Sequence, residues 1–284
     1  MATKHLIGID MGATNLRAGL VADDELLEIE TVAIDQSGGV DPIIAQLVDC
    51  IDKIKTHETG SIGIGVPSVV DVEKGIVYDV VNIPSWKEVH LKEILEDEFN
   101  IPVYINNDAN CFAVGEKYFG RARGYNSVVG VTIGSGMGSG VVLDGRLYSG
   151  SNCGAGEIGM VPYKDSVMEH YTSGQFFERE HNTDGTELFK LAQEDDPEAL
   201  QIYKEFGTHV GVAMKTIMYM FDPEIIVLGG SVSQAYPLFK ESMLHEMQNF
   251  GYPKSLEKIE IKVSEQKHIA ILGAAALILD RQAH

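Results

Sequence analysis

Two aspartates in this 284-residue chain stand where a carboxylate could do chemistry. Asp108 falls in IPVYINNDANCFAVGEKYFG, residues 101–120, where an apolar strand pattern gives way to a helical one. A carboxylate there either caps the helix or, if it faces a cleft, accepts the proton of an attacking hydroxyl, and position alone leaves both open. Asn107 beside it could grip neighbouring hydroxyls. Asp10 ends the first apolar run of IGIDMGATNLRAGLV, residues 7–21, which reads as strand, tight turn, strand. Gly12 permits the turn, the amides and hydroxyl around Ala13, Thr14 and Asn15 could point at phosphate oxygens, and Asp10 could hold magnesium directly or through water. The plain alternative for this segment is an ordinary glycine hairpin.

A second segment of the same style, VVGVTIGSGMGSGVVLDG, occupies residues 128–145. Gly134, Gly136, Gly138 and Gly140 alternate with small residues, so the backbone can come close to a ligand while Thr132 and Ser135 offer hydroxyls. The spacing is not that of a dinucleotide fingerprint or a P-loop, and a strand rather than a helix follows. Two such hairpins suggest a nucleotide clamped between two halves. A third piece, DPEIIVLGGSVSQA at 222–235, runs a buried strand into Gly229 and Gly230, where a flat group such as adenosine could lie against bare backbone. A polar pocket could be completed by the turn Gly65–Ser68, by Glu157 in GAGEIG and by Glu169 in VMEHYTSG. Each acid alone reads first as a solvated surface carboxylate.

The elements that must position these residues are legible as a pattern. His5–Ile9, Leu16–Val21, Leu27–Ala33, Ser61–Val66, Val103–Ile105, Ser127–Ile133, Gly140–Leu143, Ile225–Leu228 and Ile259–Val263 read as strands. A helical pattern follows Asp41-Pro42, and a longer one runs from Asp196-Pro197 until Asp222-Pro223 stops it. Strands and glycine turns restart at Ser127, which predicts an α/β chain of two domains around a cleft.

Composition narrows the partners. The chain carries 42 Asp plus Glu against 22 Lys plus Arg, a formal charge of -20 that repels nucleic acid and anionic lipid. Cys50, Cys111 and Cys153 form no CxxC pair, which predicts neither disulfides nor a cysteine-built metal site and suits a reducing cytoplasm. Asp10 interrupts the first apolar stretch, so no secretory signal is expected, and the longest apolar run, Ile269–Leu279, is too short to span a bilayer.

Taken in order, these segments resemble the ROK family of sugar kinases and repressors over nearly the whole chain. DMGATNLR at 10–17 is similar to the family's DxGGTxxR/K loop, GIGVPSVVD at 63–71 to its GxGxPGxVD turn, NNDANCFAVGE at 106–116 to its ENDANxxxxGE helix start, and GSGMGSGVVLDGRLYSG at 134–150 to its GTGxGxGxxxxGxxxxG loop. GAGEIG and IIVLGG follow as expected. The resemblance implies a two-domain actin-like (ribonuclease H-like) fold. Residues 1–108 with 268–284 would form the smaller domain and 109–267 the larger. It implies ATP and Mg2+ as cofactors and a homodimer, with Asp108 as catalytic base. Ser68, Asn82 (in VVNIPSW), Asn107, Glu157 and Glu169 would contact a hexose or N-acetylhexosamine. Asp10, Gly12, Thr14, Asn15, Arg17, Thr132, Gly134, Gly136, Gly229 and Gly230 would handle nucleotide, phosphates and magnesium.

Three departures shape these expectations. Ala13 and Ser68 stand where the family has glycines. Met160 stands where many members have the His of ExGH, and the cysteine loop that follows it in them is missing, so no zinc site is expected. The family's repressors carry a helix-turn-helix domain ahead of the kinase-like part, and this chain opens at the phosphate loop, which sets that branch aside as an expectation. The competing reading is a catalytically silent sugar- and nucleotide-binding regulator of the same fold, against which the presence of both Asp10 and Asp108 argues.

Overall fold

The computed structural model describes residues 5–12, 14–36, 38–80, 83–151 and 153–283. Ala13 and Asn82, both singled out above, lie outside the described residues. The chain opens with β1 (His5–Met11), β2 (Asn15–Ala22) and β3 (Glu25–Ala33), an antiparallel meander joined by tight turns. Helix α1 (Val40–Ile54) crosses to β4 (Thr59–Val66), which pairs parallel with β1. A small meander of β5 (Val69–Asp71), β6 (Ile76–Tyr78) and β7 (Glu88–Val89) follows. Then come α2 (Leu91–Phe99) and β8 (Val103–Asn107), parallel to β4. The resulting sheet has the order β3-β2-β1-β4-β8.

After α3 (Asp108–Tyr118) the same plan begins again. β9 (Val128–Ile133), β10 (Met137–Leu143) and β11 (Arg146–Leu147) form a second antiparallel meander. A short hairpin, β12 (Pro162–Tyr163) and β13 (Ser166–Val167), leads into α4 (Glu169–Thr172), α5 (Gln175–His181), α6 (Gly185–Gln193) and the long α7 (Pro197–Phe221). β14 (Ile225–Gly229) then pairs parallel with β9, and after α8 (Tyr236–Met247) and α9 (Pro253–Leu256) β15 (Glu260–Val263) pairs parallel with β14. The order β11-β10-β9-β14-β15 repeats that of the first sheet, so the restart read at Ser127 is a repeat of topology.

Each half has its own core. Ile7, Ile9, Ile62, Ile64 and Trp86 are buried in the first, and Phe176, Phe177, Phe206 and Phe239 pack ring on ring in the second. Between the halves lie α3 and the last helix, α10 (Ile269–Gln282). Residues 271–278 of α10 are all buried, as expected for a helix apolar on every side. The run Ile269–Leu279 is therefore an interior element, and among the described residues no helix is long and apolar enough to cross a membrane.

The close packing of this layer depends on missing side chains. A Cβ on Gly8 would lie 2.0 Å from the Ile271 carbonyl oxygen, one on Gly63 1.9 Å from that of Ala274, and one on Gly273 1.9 Å from that of Cys111. α10 thus lies against the backbone of β1 and β4 on one side and of α3 on the other. The structure extends one strand expectation: β10 begins at Met137 rather than Gly140, because Gly138 pairs with Thr132 in the ladder.

Candidate active site

The carboxyl ends of β1, β4 and β8 lie side by side, with Asp10 in register with Gly65 and Gly65 with Asn106. Ligands of open α/β sheets collect at such ends. Asp108 follows directly as the first residue of α3, so β8 delivers it to the same edge as Asp10. The cap is Asn107, whose side-chain oxygen accepts from the Ala109 amide at 2.9 Å. This corrects the placement of Asp108 at the N-cap: its neighbour performs that task, although Asp108 Oδ1 also accepts from Ala109 N at 2.8 Å.

Asp108 is accessible from the cleft, yet protein surrounds it closely enough that burial pushes its carboxyl up to about 6. The Ala109 amide opposes that shift, and the negative charges of Asp10 and Glu157 reinforce it. Asp10 is likewise raised by burial, with Arg17, its cross-strand partner 4.0 Å away, holding it down. Two mutually repelling carboxylates beside one arginine form an oxygen donor set that suits a hard divalent cation with a phosphate. Among the described residues no three His, Cys, Asp or Glu side chains converge as a ready-made metal site.

Asn106, passed over in the motif reading, organises this edge. Its buried Oδ1 accepts from Asn107 N at 2.9 Å, Asn110 Nδ2 at 2.9 Å and Cys153 Sγ at 3.0 Å, while Nδ2 donates to Ser149 Oγ at 3.1 Å. The amide thereby ties the end of β8 to α3 and to the 149–153 loop. Its polar neighbours Asn107 and Asn110, one turn apart on a helix start, were the available signal.

Ser68 donates its hydroxyl to the Tyr78 carbonyl, and its own carbonyl accepts from Asn107 Nδ2 at 3.4 Å. Glu157 reaches the surface, yet the protein packed around its carboxyl and the charge of Glu169 beside it raise it above the usual carboxylate range. Met160 is 57% exposed at the end of the same turn. Glu169 accepts from Met137 N at 3.0 Å, inside the second glycine loop.

On the other sheet Thr132, next to last in β9, lies opposite Gly229 at the end of β14. Gly134 N donates to the Gly136 carbonyl at 2.9 Å to close the loop. Gly230 has φ +84° and its backbone lies so close to Ile133 that a Cβ would come within 2.4 Å of that carbonyl oxygen. Beside these glycines opens a cavity of about 520 Å³, lined by Gly134, Ser135, Phe177, Ser231 and Ala235 among others. In the first hairpin Gly12 N donates to the Asn15 carbonyl and the exposed Thr14 hydroxyl accepts from Asn15 Nδ2. A cavity of about 900 Å³ lies elsewhere, between α7 and α8, and none of the motif residues lines it.

Two hairpins of like topology thus present hydroxyls and bare backbone beside a pair of carboxylates, the arrangement of a two-domain actin-like ATPase fold, in which equivalent halves close on a nucleotide. Residues 6–281 match the ROK family, and the chain belongs to it. The glucokinase of Thermotoga maritima is 29% identical to it, with 99% of both chains covered. The xylose repressor of Bacillus spizizenii is 27% identical over 97% of this chain and 77% of its own length. Among solved structures, the ROK hexokinase from Thermus thermophilus superimposes with a TM-score of 0.84 at 26% identity, covering 99% of this chain and all of its own.

Proposed function

We propose that the protein is a kinase that transfers the terminal phosphoryl group of ATP to a hydroxyl of a hexose or N-acetylhexosamine. The observation that supports this most is the pairing of Asp108 and Asp10 on one strand edge, with the carboxyl of Asp108 raised to about 6. A base poised near neutrality takes a hydroxyl proton without binding it too tightly to release.

In this reading the sugar lies between Ser68, Asn107, Glu157 and Glu169, its reactive hydroxyl toward Asp108. The nucleotide lies along Thr132, Gly134, Gly136, Gly229 and Gly230, its adenosine in the 520 Å³ cavity and its phosphates toward Thr14 and Asn15. Magnesium, held by Asp10 directly or through water, would neutralise phosphate charge. Asp108 accepts the hydroxyl proton as the sugar oxygen bonds to the γ-phosphorus and the bond from that phosphorus to the β,γ-bridging oxygen breaks, releasing ADP. We take residues 1–108 with 268–284 as the sugar-side domain and 109–267 as the nucleotide-side domain. Their closure would exclude water from the transfer.

A coupled ADP-release assay across glucose, N-acetylglucosamine, N-acetylmannosamine, allose and fructose tests the proposal. Sugar-dependent ADP release above the rate in water supports it. Sugar binding seen by thermal stabilisation, with no ADP release for any sugar, overturns it in favour of a silent regulator of the same fold.

A further inference from the structure

We propose that Glu169 is a positioning residue for the glycine loop at 134–138, so that nucleotide affinity depends on it even when no sugar is present. This deepens the function proposed above and rests on it only in naming the loop's ligand as a nucleotide. A sugar contact alone would leave Glu169 facing the cleft. Its Oε2 instead accepts from Met137 N at 3.0 Å and would stand 2.7 Å from a Cβ on Gly136.

The rest of its segment grips the same loop. Gly174 N donates to the Gly134 carbonyl at 2.7 Å, Gln175 Nε2 to the Ser135 carbonyl at 3.1 Å, and Ser173 Oγ to that carbonyl at 3.4 Å. Thr172 Oγ1 lies 2.9 Å from the Met137 sulfur. Residues 169–175 therefore form a cradle that holds the loop through its backbone at Gly134, Ser135 and Met137. Of these contacts only the one at Glu169 has a carboxylate as the acceptor, a type of acceptor that makes stronger hydrogen bonds than a neutral carbonyl.

The turn bearing Glu157 is wedged into the same place. A Cβ on Gly159 would fall 2.3 Å from the Met137 carbonyl oxygen and 3.2 Å from Glu169 Cβ. The turn bearing Glu157 is thus packed against both Glu169 and the loop. A sugar hydroxyl that donates to the second oxygen of Glu169 fixes the carboxylate and with it the loop, which couples the two ligands.

Calorimetric titration of the full chain with MgADP in the absence of sugar tests the assignment. Glu169→Ala should weaken MgADP roughly tenfold to a hundredfold, the range for a charge-assisted hydrogen bond. Glu169→Gln should stay within about threefold of the parent, because its amide oxygen can still accept from Met137 N. Amide exchange at residues 134–138 of the ligand-free variants should be faster in the alanine form and near normal in the glutamine form. Unchanged MgADP affinity in Glu169→Ala, with unchanged exchange of the loop, overturns the proposal. Loss of both properties in the glutamine form as well as the alanine form overturns it too, since that marks a general structural role. If the parent chain does not bind MgADP, the nucleotide reading fails while amide exchange still decides whether Glu169 holds the loop.

Discussion

The carboxyl of Asp108, pushed up to about 6, makes a quantitative demand on pH dependence. If Asp108 is the base, kcat/KM must follow its ionised fraction in the free protein. With a value of about 6 that fraction is about nine-tenths at pH 7 and about one-tenth at pH 5, so the profile should rise roughly tenfold between them. The sign for stability runs the other way. A folded-state value raised above 3.8 means that the folded protein binds this proton more tightly than the unfolded chain. Stability from this group is therefore present at low pH and is lost as pH rises from about 4 through 6. Asp108→Asn should lower kcat by about a hundredfold to ten-thousandfold and erase the limb near 6, with sugar affinity within a few fold of the parent because the site keeps its shape. Steady-state kinetics from pH 5 to 8, with the sugar found by the panel, give all three quantities. Turnover within tenfold of the parent, or a limb near 6 that survives in Asp108→Asn, would refute the role of Asp108.

Gly63→Ala should destabilise the whole chain by about 3 kcal/mol or more, since its Cβ would meet the Ala274 carbonyl oxygen at 1.9 Å and backbone cannot give way as a side chain does. Gly154→Ala, with nothing within 4 Å of its added Cβ, should be within about 0.5 kcal/mol of neutral, and urea titration of both variants checks the two values. Asn106→Ala removes the acceptor shared by Asn107 N, Asn110 Nδ2 and Cys153 Sγ. Leaving those donors without it should cost about 1–3 kcal/mol in thermal unfolding, and if Asp108 is the base kcat should fall as Asp108 loses its fixed position.

Short-range chemistry was readable in the chain. Apart from the two-residue β11, the strands of both five-stranded sheets, the hairpin at Gly12 and the end of α7 at Asp222 follow from alternation, glycine and proline, which act within a few residues. The small meander β5–β7 escaped because its strands are two or three residues long, too short to show alternation. The donation of the Ser68 hydroxyl to the Tyr78 carbonyl, a partner ten residues away, is a contact that no local pattern reveals.

The apolar run at 269–279 shows the same boundary from the other side. Its composition ruled out a bilayer span by length alone, but its place between β1, β4 and α3 depends on Gly8, Gly63 and Gly273, which are hundreds of residues apart at the extremes and mark contact only when the backbones meet. By itself the order of residue types determined that Asp10 lies at the end of a strand, that Asp108 lies at the start of a helix and that glycine hairpins begin each half. Only the tertiary structure set the two aspartates on one edge and raised the carboxyl of Asp108, and only it turned Glu169 toward Met137. Burial and charge coupling act through space, and the spacing of residues along the chain does not record distance through space.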